Sequence, residues 1–73
     1  MKGILEILDA THGHVLVEWD TETDTTEAEV EFERLNEMNY VAFSEQPDGS
    51  FAVVETFDET SPRIILSPQF VGG

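Results

Sequence analysis

The sequence predicts one small α+β domain in which a single helix packs on one face of a mixed or antiparallel sheet of four to five strands. Three observations predict it. The chain has 73 residues, enough for one domain only. Its apolar residues fall in short runs rich in branched side chains, which is typical of strands. One stretch, at about 26–38, has the spacing of an amphipathic helix. The predicted order is therefore ββαβββ.

The first two strands are predicted at residues 4–8 and 15–19. Turn-forming residues, including Gly13, lie between them. Because so short a connection cannot form a parallel crossover, we expect an antiparallel hairpin. Trp19 is large and adjoins an acidic loop at 20–26, so the pattern assigns it neither to the core nor to the surface.

Helix and strand compete over residues 27–33, where glutamates alternate with other residues as they would in a strand. We favour the helix because glutamate and alanine are poor strand formers. Thr26 and Glu29 have the spacing of a capping box, which predicts the helix start. The predicted buried face consists of Ala28, Phe32, Leu35 and Asn39, with Met38 beside it.

Three more strands are predicted at 40–43, 51–57 and 63–66, following one another as a meander. Pro47, Asp48 and Gly49 form a turn between the first two. The domain is expected to span 1–67, and 68–73 to form a flexible tail, since Pro68 resists extension of a strand. The predicted core is Ile4 or Leu5, Ile7, Val15, Val17, Phe32, Leu35, Val41, Phe43, Val53 and Ile65.

Composition excludes several classes of function. Sixteen acidic and three basic residues give a formal charge of -13, which argues against direct binding of nucleic acid or anionic membranes. Without cysteine there is no disulfide, thiolate nucleophile or cysteine zinc site. Residues 1–8 resemble neither a signal peptide nor a membrane span, so we expect a cytoplasmic protein. No pattern indicates an enzyme or a cofactor.

Nine acidic residues lie between Glu18 and Glu37, relieved by Arg34 alone. Three interpretations remain open: a solvated surface that maintains solubility, a docking surface for a basic protein, or mimicry of nucleic-acid phosphates. The candidate partner-binding residues in this segment are Asp20, Glu22, Asp24, Glu27, Glu31 and Glu33.

Two weaker patterns suggest metals. Asp20, Glu22, Asp24 and Glu31 are spaced like calcium ligands, but Thr25 stands where such a loop needs glycine. His12 and His14 could begin a metal site, although most sites need three or four ligands. We expect no metal at either place.

The sequence ends in Gly72-Gly73, and the last acidic residue before it is Glu59. A tail without side chains can enter a narrow channel and bring its carboxylate to a catalytic centre. Chemistry there would begin with adenylation and continue with attack by a sulfur or amine nucleophile. Phe70 and Val71 would guide the tail into the enzyme that adenylates its carboxylate. The alternative is an incidental frayed end.

The element order, together with residues 64–73, resembles the ubiquitin-like β-grasp proteins, especially the small sulfur carriers such as the small subunit of molybdopterin synthase. The resemblance implies a Gly73 carboxylate that an ATP-dependent adenylating enzyme activates. We therefore expect a non-enzymatic carrier or modifier. The alternative is an acidic inhibitor or DNA mimic, for example a phage-encoded one, bound to a basic cleft of a nucleic-acid enzyme. A third interpretation is a subunit of a larger assembly.

Overall fold

The helix and strands follow the predicted order in the computed structural model, which describes residues 1–9 and 13–69. Every predicted element is present, with its bounds moved by a few residues. The elements are β1 (Lys2–Asp9), β2 (Gly13–Asp20), α1 (Thr26–Glu37), β3 (Tyr40–Glu45), β4 (Phe51–Val54) and β5 (Arg63–Pro68). Residues 27–33 are helical, so the interpretation as a strand is wrong.

The five strands form one mixed sheet in the order β2-β1-β5-β3-β4. The hairpins β1–β2 and β3–β4 are antiparallel, as predicted. The prediction that the last three strands form a meander is wrong, because β5 does not pair with β4. It lies between β1 and β3, parallel to the first and antiparallel to the second. The result is an α+β, β-grasp-like fold with one helix packed against five strands.

The helix packs on one side of this sheet, which we call the inner face. Its buried residues Ala28, Phe32 and Leu35 meet apolar side chains from the central strands. The sheet contributes Leu5, Ile7, Trp19, Ala42, Ile64 and Leu66, all at most 4% exposed. Trp19 is therefore a core residue, and Phe57 packs edge-on against its ring at 5.0 Å.

The predicted core was correct for Leu5, Ile7, Phe32 and Leu35 but wrong on the last three strands. Val41, Phe43 and Ile65 are half-buried on the opposite side of the sheet, and Val53 is 65% exposed. In β2, Val15 is exposed and Val17 half-buried. Residues 40–43 and 64–66 are consecutive apolar residues in β3 and β5, so their alternation alone did not indicate which set faces the helix.

The two ends of α1 also differ from the prediction. Its N-cap is Thr25 rather than Thr26, and no side chain makes a capping hydrogen bond from that position. The C-cap is Met38, and Asn39 follows with a φ of 65°. Asn39 is exposed, so its predicted place on the buried face was wrong. Asparagine tolerates this left-handed conformation, which ends the helix.

The side of the sheet away from α1 is the outer face. Alternation along the paired strands places sixteen of the described residues on it. They are Lys2, Ile4, Glu6, Leu8, His14, Leu16, Glu18, Asp20, Val41, Phe43, Glu45, Phe51, Val53, Arg63, Ile65 and Ser67.

Candidate partner-binding surfaces

The loop between β2 and α1 carries the first three candidate acids. Asp20 is half-buried at the end of β2, whereas Glu22 and Asp24 are exposed. Asp20 Oδ1 accepts a hydrogen bond from the amide of Glu22 at 3.0 Å and lies 3.7 Å from the amino group of Met1. These contacts hold Asp20 to the backbone of its own loop and to the amino terminus, and they leave Glu22 and Asp24 exposed.

Asp24 is bound to the start of the helix. Its Oδ1 accepts a hydrogen bond from the backbone N–H of Thr26 at 2.9 Å. Hydrogen bonds from the Thr26 hydroxyl and amide stabilise the carboxylate and lower the pKa of Asp24. Asp24 thus satisfies one of the free N–H groups at the helix start, a role that the sequence had suggested for Thr26.

The helix presents its candidate acids on two sides of its buried stripe. Glu27 and Glu31 lie one turn apart on one side, and Glu33 lies on the other with Glu29. Glu31 is half-buried and forms an ion pair with Arg34 at 2.6 Å, an interaction that raises the pKa of Arg34. Glu27 and Glu33 are exposed. The segment therefore forms a broad negative surface over the loop and helix, with Glu31 partly neutralised.

The carboxy-terminal candidates Phe70, Val71, Gly72 and Gly73 lie outside the described residues, as does His12. What the structure describes is the strand that leads to them. β5 runs through Pro68, which is paired with Tyr40, and Gln69 after it is exposed. The fifth strand is thus longer than predicted, because a proline at the last position of a strand leaves most of the ladder intact.

Residues 1–9 and 13–69 contain no group of three or more histidine, cysteine, aspartate or glutamate residues that could hold a metal ion. In the same residues, no helix combines the length and the apolar character needed to cross a membrane.

Comparison with family models, with curated proteins and with solved structures finds no match to this chain. Any function must therefore be inferred from the fold, the charge and the surfaces of the molecule itself.

Sequence reasoning missed one surface, the apolar outer face. Leu16, Phe51 and Val53 are each more than 40% exposed there. A signal was available in β3 and β5, where consecutive residues are apolar. A sheet covered by one helix can bury only one of the two alternating sets, so the other set had to lie on the open side.

Proposed function

We propose that this chain is a small, acidic, non-enzymatic carrier or modifier of the ubiquitin-like kind. Its reactive group is the carboxylate of Gly73, which a partner adenylating enzyme activates. The observation that supports this is the place of β5 in the sheet. The strand lies between β1 and β3, and it leads through Pro68 directly to the residues that end in Gly72-Gly73.

The proposed chemistry takes place on the carboxylate alone. The Gly73 carboxylate oxygen attacks the α-phosphorus of ATP, which forms an acyl adenylate and releases pyrophosphate. A sulfur or amine nucleophile then attacks the acyl carbon and displaces AMP. Because no acidic residue follows Glu59, the approach of this segment to an anionic nucleotide is not opposed by its own side chains.

The partner contacts divide between two parts of the chain. Phe70 and Val71 supply apolar contacts that guide the tail, and the acidic surface of α1 meets basic residues of the activating enzyme. Lys2 is the only lysine, so chains linked through internal lysines would be confined to one position. A carrier or a single-use modifier is therefore favoured over a polymer.

Intact-mass measurement of the protein isolated from its native cell tests the proposal. We expect a species with oxygen replaced by sulfur, about 16 Da heavier, or a covalent adduct at Gly73. The matched control ends at Gln69, which retains every strand that the structure describes. An unmodified Gly73 carboxylate under all growth conditions, or an unchanged modification in the shortened chain, would contradict the proposal.

A second candidate function is inhibition of a nucleic-acid enzyme through its basic cleft. The observation that favours it is the exposure of Glu22, Asp24, Glu27 and Glu33 across the loop and helix. Carboxylates spread over one surface can occupy a cleft that normally binds phosphates, as a DNA mimic does.

Competition with duplex DNA distinguishes the two candidates. An inhibitor should displace DNA from its target enzyme, and its binding should weaken steeply as NaCl is raised. Replacement of Glu27, Glu29 and Glu33 by glutamine should reduce that competition, whereas removal of residues 70–73 should not affect it. A carrier should show the opposite dependence on these two changes.

A further inference from the structure

The outer face contains a groove lined by residues of four neighbouring strands, β2, β1, β5 and β3, and by the segment before β5. Its volume is about 460 Å³, and its lining residues are Ile4, Glu6, Leu16, Glu45, Pro62 and Arg63. Ile4 and Leu16 supply apolar side chains that are 38% and 61% exposed. The groove is open to solvent along the sheet, so an extended or helical segment could lie across it.

The apolar surface continues beyond the groove toward β4. Phe43 is paired with Ile65 on one side and with Val53 on the other, and Phe51 is paired with Glu45. Phe51 and Val53 are 43% and 65% exposed. The solvated side of a sheet is ordinarily polar, and a contiguous exposed apolar patch on a small protein marks an interaction site.

Some charged residues of the groove neutralise each other, whereas others leave a net negative charge at its border. Glu6 is only 13% exposed and is bound by Arg63, whose Nε lies 3.1 Å from its Oε2. His14 Nδ1 lies 3.4 Å from the other carboxylate oxygen. The pair of Glu6 and Arg63 therefore contributes little net charge. Glu18 lies opposite Ile4 on one side and Glu45 lies on the other, so carboxylates border the apolar floor.

An apolar floor bordered by carboxylates indicates which class of partner fits the groove. A second copy of the chain would bring another formal charge of -13 against the same carboxylates, which opposes self-association. A segment with apolar residues and lysine or arginine would bury the apolar floor and place its cations beside Glu18 and Glu45. We propose that the outer-face groove binds a cationic, amphipathic segment of a partner protein.

The groove is separate from the other two surfaces. It lies on the side of the sheet away from α1, and it adjoins Arg63 at the start of β5. Pro68, where the strand ends, is five residues further along, or about 16 Å in an extended strand. A partner in the groove therefore leaves the exposed acids of α1 accessible, whichever function they have.

The test uses the full chain and a synthetic amphipathic helical peptide of leucine and lysine, about 14 residues or four turns long. Binding is measured by titration, and the contact surface is mapped by backbone amide NMR shifts. We expect the largest shifts at Ile4, Leu16 and Glu45. Shifts confined to α1 and the acidic loop would overturn the proposal, because they would indicate attraction by charge alone.

Two pairs of matched variants distinguish binding of the peptide in the groove from attraction by the overall negative charge of the protein. Leu16→Ser should weaken binding of the peptide at least about fivefold, whereas Val30→Ser, at a 56% exposed position on α1, should change it less than about twofold. Glu45→Gln should weaken binding more than Glu33→Gln, which removes the same charge from α1. Equal effects within either pair would overturn the proposal.

A second apolar variant and a sedimentation measurement complete the test. Val53→Ser changes another residue of the outer face if Leu16→Ser unfolds the protein, and it should weaken binding in the same direction. Sedimentation of the chain without peptide should show a monomer. A dimer that Leu16→Ser dissociates would overturn the proposal, because the occupant of the groove would then be a second copy.

Discussion

The indole ring of Trp19 occupies the space in which a side chain at Gly3 would stand. A Cβ atom placed on Gly3 would lie 2.1 Å from Trp19 Cζ2, far inside van der Waals contact. The two residues are paired across β1 and β2. The ring is 3% exposed, and its Nε1 donates a hydrogen bond to the carbonyl of Glu59 at 3.3 Å. The absence of a side chain at Gly3 therefore determines how the aromatic group closes this end of the core.

Gly3→Ala should lower the free energy of unfolding by about 2 kcal/mol, because the added methyl group displaces a well-packed ring. Alanine at an unobstructed strand position would instead be neutral or favourable. Chemical denaturation measures the change. In a Trp19→Leu background the cost of Gly3→Ala should fall below about 1 kcal/mol. An equal cost in both backgrounds would show that contact with the ring is not the cause.

Ser44 is fully buried on the inner face, and its hydroxyl has no hydrogen-bond partner among the described residues. Ser44→Ala should raise the free energy of unfolding by about 1 kcal/mol, because it removes a polar group that is desolvated without compensation. Thermal and chemical unfolding measure this effect.

Ser61 is the matched control for that prediction. It is also buried, but its Oγ lies 2.8 Å from the carbonyl oxygen of Arg63 and 3.1 Å from that of Glu45. Ser61→Ala should therefore lower the free energy of unfolding by about 1 kcal/mol. A loss of stability in Ser44→Ala similar to that in Ser61→Ala would indicate that Ser44 has a partner after all.

The sequence was sufficient to predict the elements but not the arrangement of β5. Helix, hairpins and turns are encoded by neighbouring residues, such as Pro47, Asp48 and Gly49 between β3 and β4. The pairing of Ile4 with Arg63 joins residues far apart in the chain, and no local signal specifies it. The face of β3 that meets the helix follows from that pairing, so the predicted burial of Phe43 was wrong as well.

The candidate surfaces were predictable to different degrees. Charge alone predicts that acidic side chains lie at the surface, and Glu22, Asp24, Glu27 and Glu33 are exposed, whereas Asp20 and Glu31 are half-buried. The pair of Glu31 and Arg34 has a spacing that could have been recognised in advance. The outer-face groove could not, because Arg63 and Glu45 join Ile4 and Leu16 only when the strand order is known.

The hydrogen bonds from Thr26 to Asp24 should make stability depend on pH. They lower the pKa of Asp24 in the folded state, so this carboxylate stabilises the fold above its unfolded pKa of about 4. That contribution is lost as pH falls through the lower, folded pKa. Asp24→Asn should therefore show a smaller fall in Tm between about pH 5 and pH 2. Glu22→Gln, which makes the same change of charge without contacting Thr26, should retain the full dependence.

The concentration of negative charge should make the protein more stable in salt. A formal charge of -13 on 73 residues opposes the compact state through self-repulsion. Raising NaCl from about 0.01 M to about 1 M shortens the screening length from about 30 Å to about 3 Å, so Tm should rise. Replacing the exposed Glu29, Glu33 and Glu37 by glutamine should raise Tm at low salt and reduce the further gain from NaCl. An equal response to salt in both proteins would show that repulsion around α1 does not limit stability.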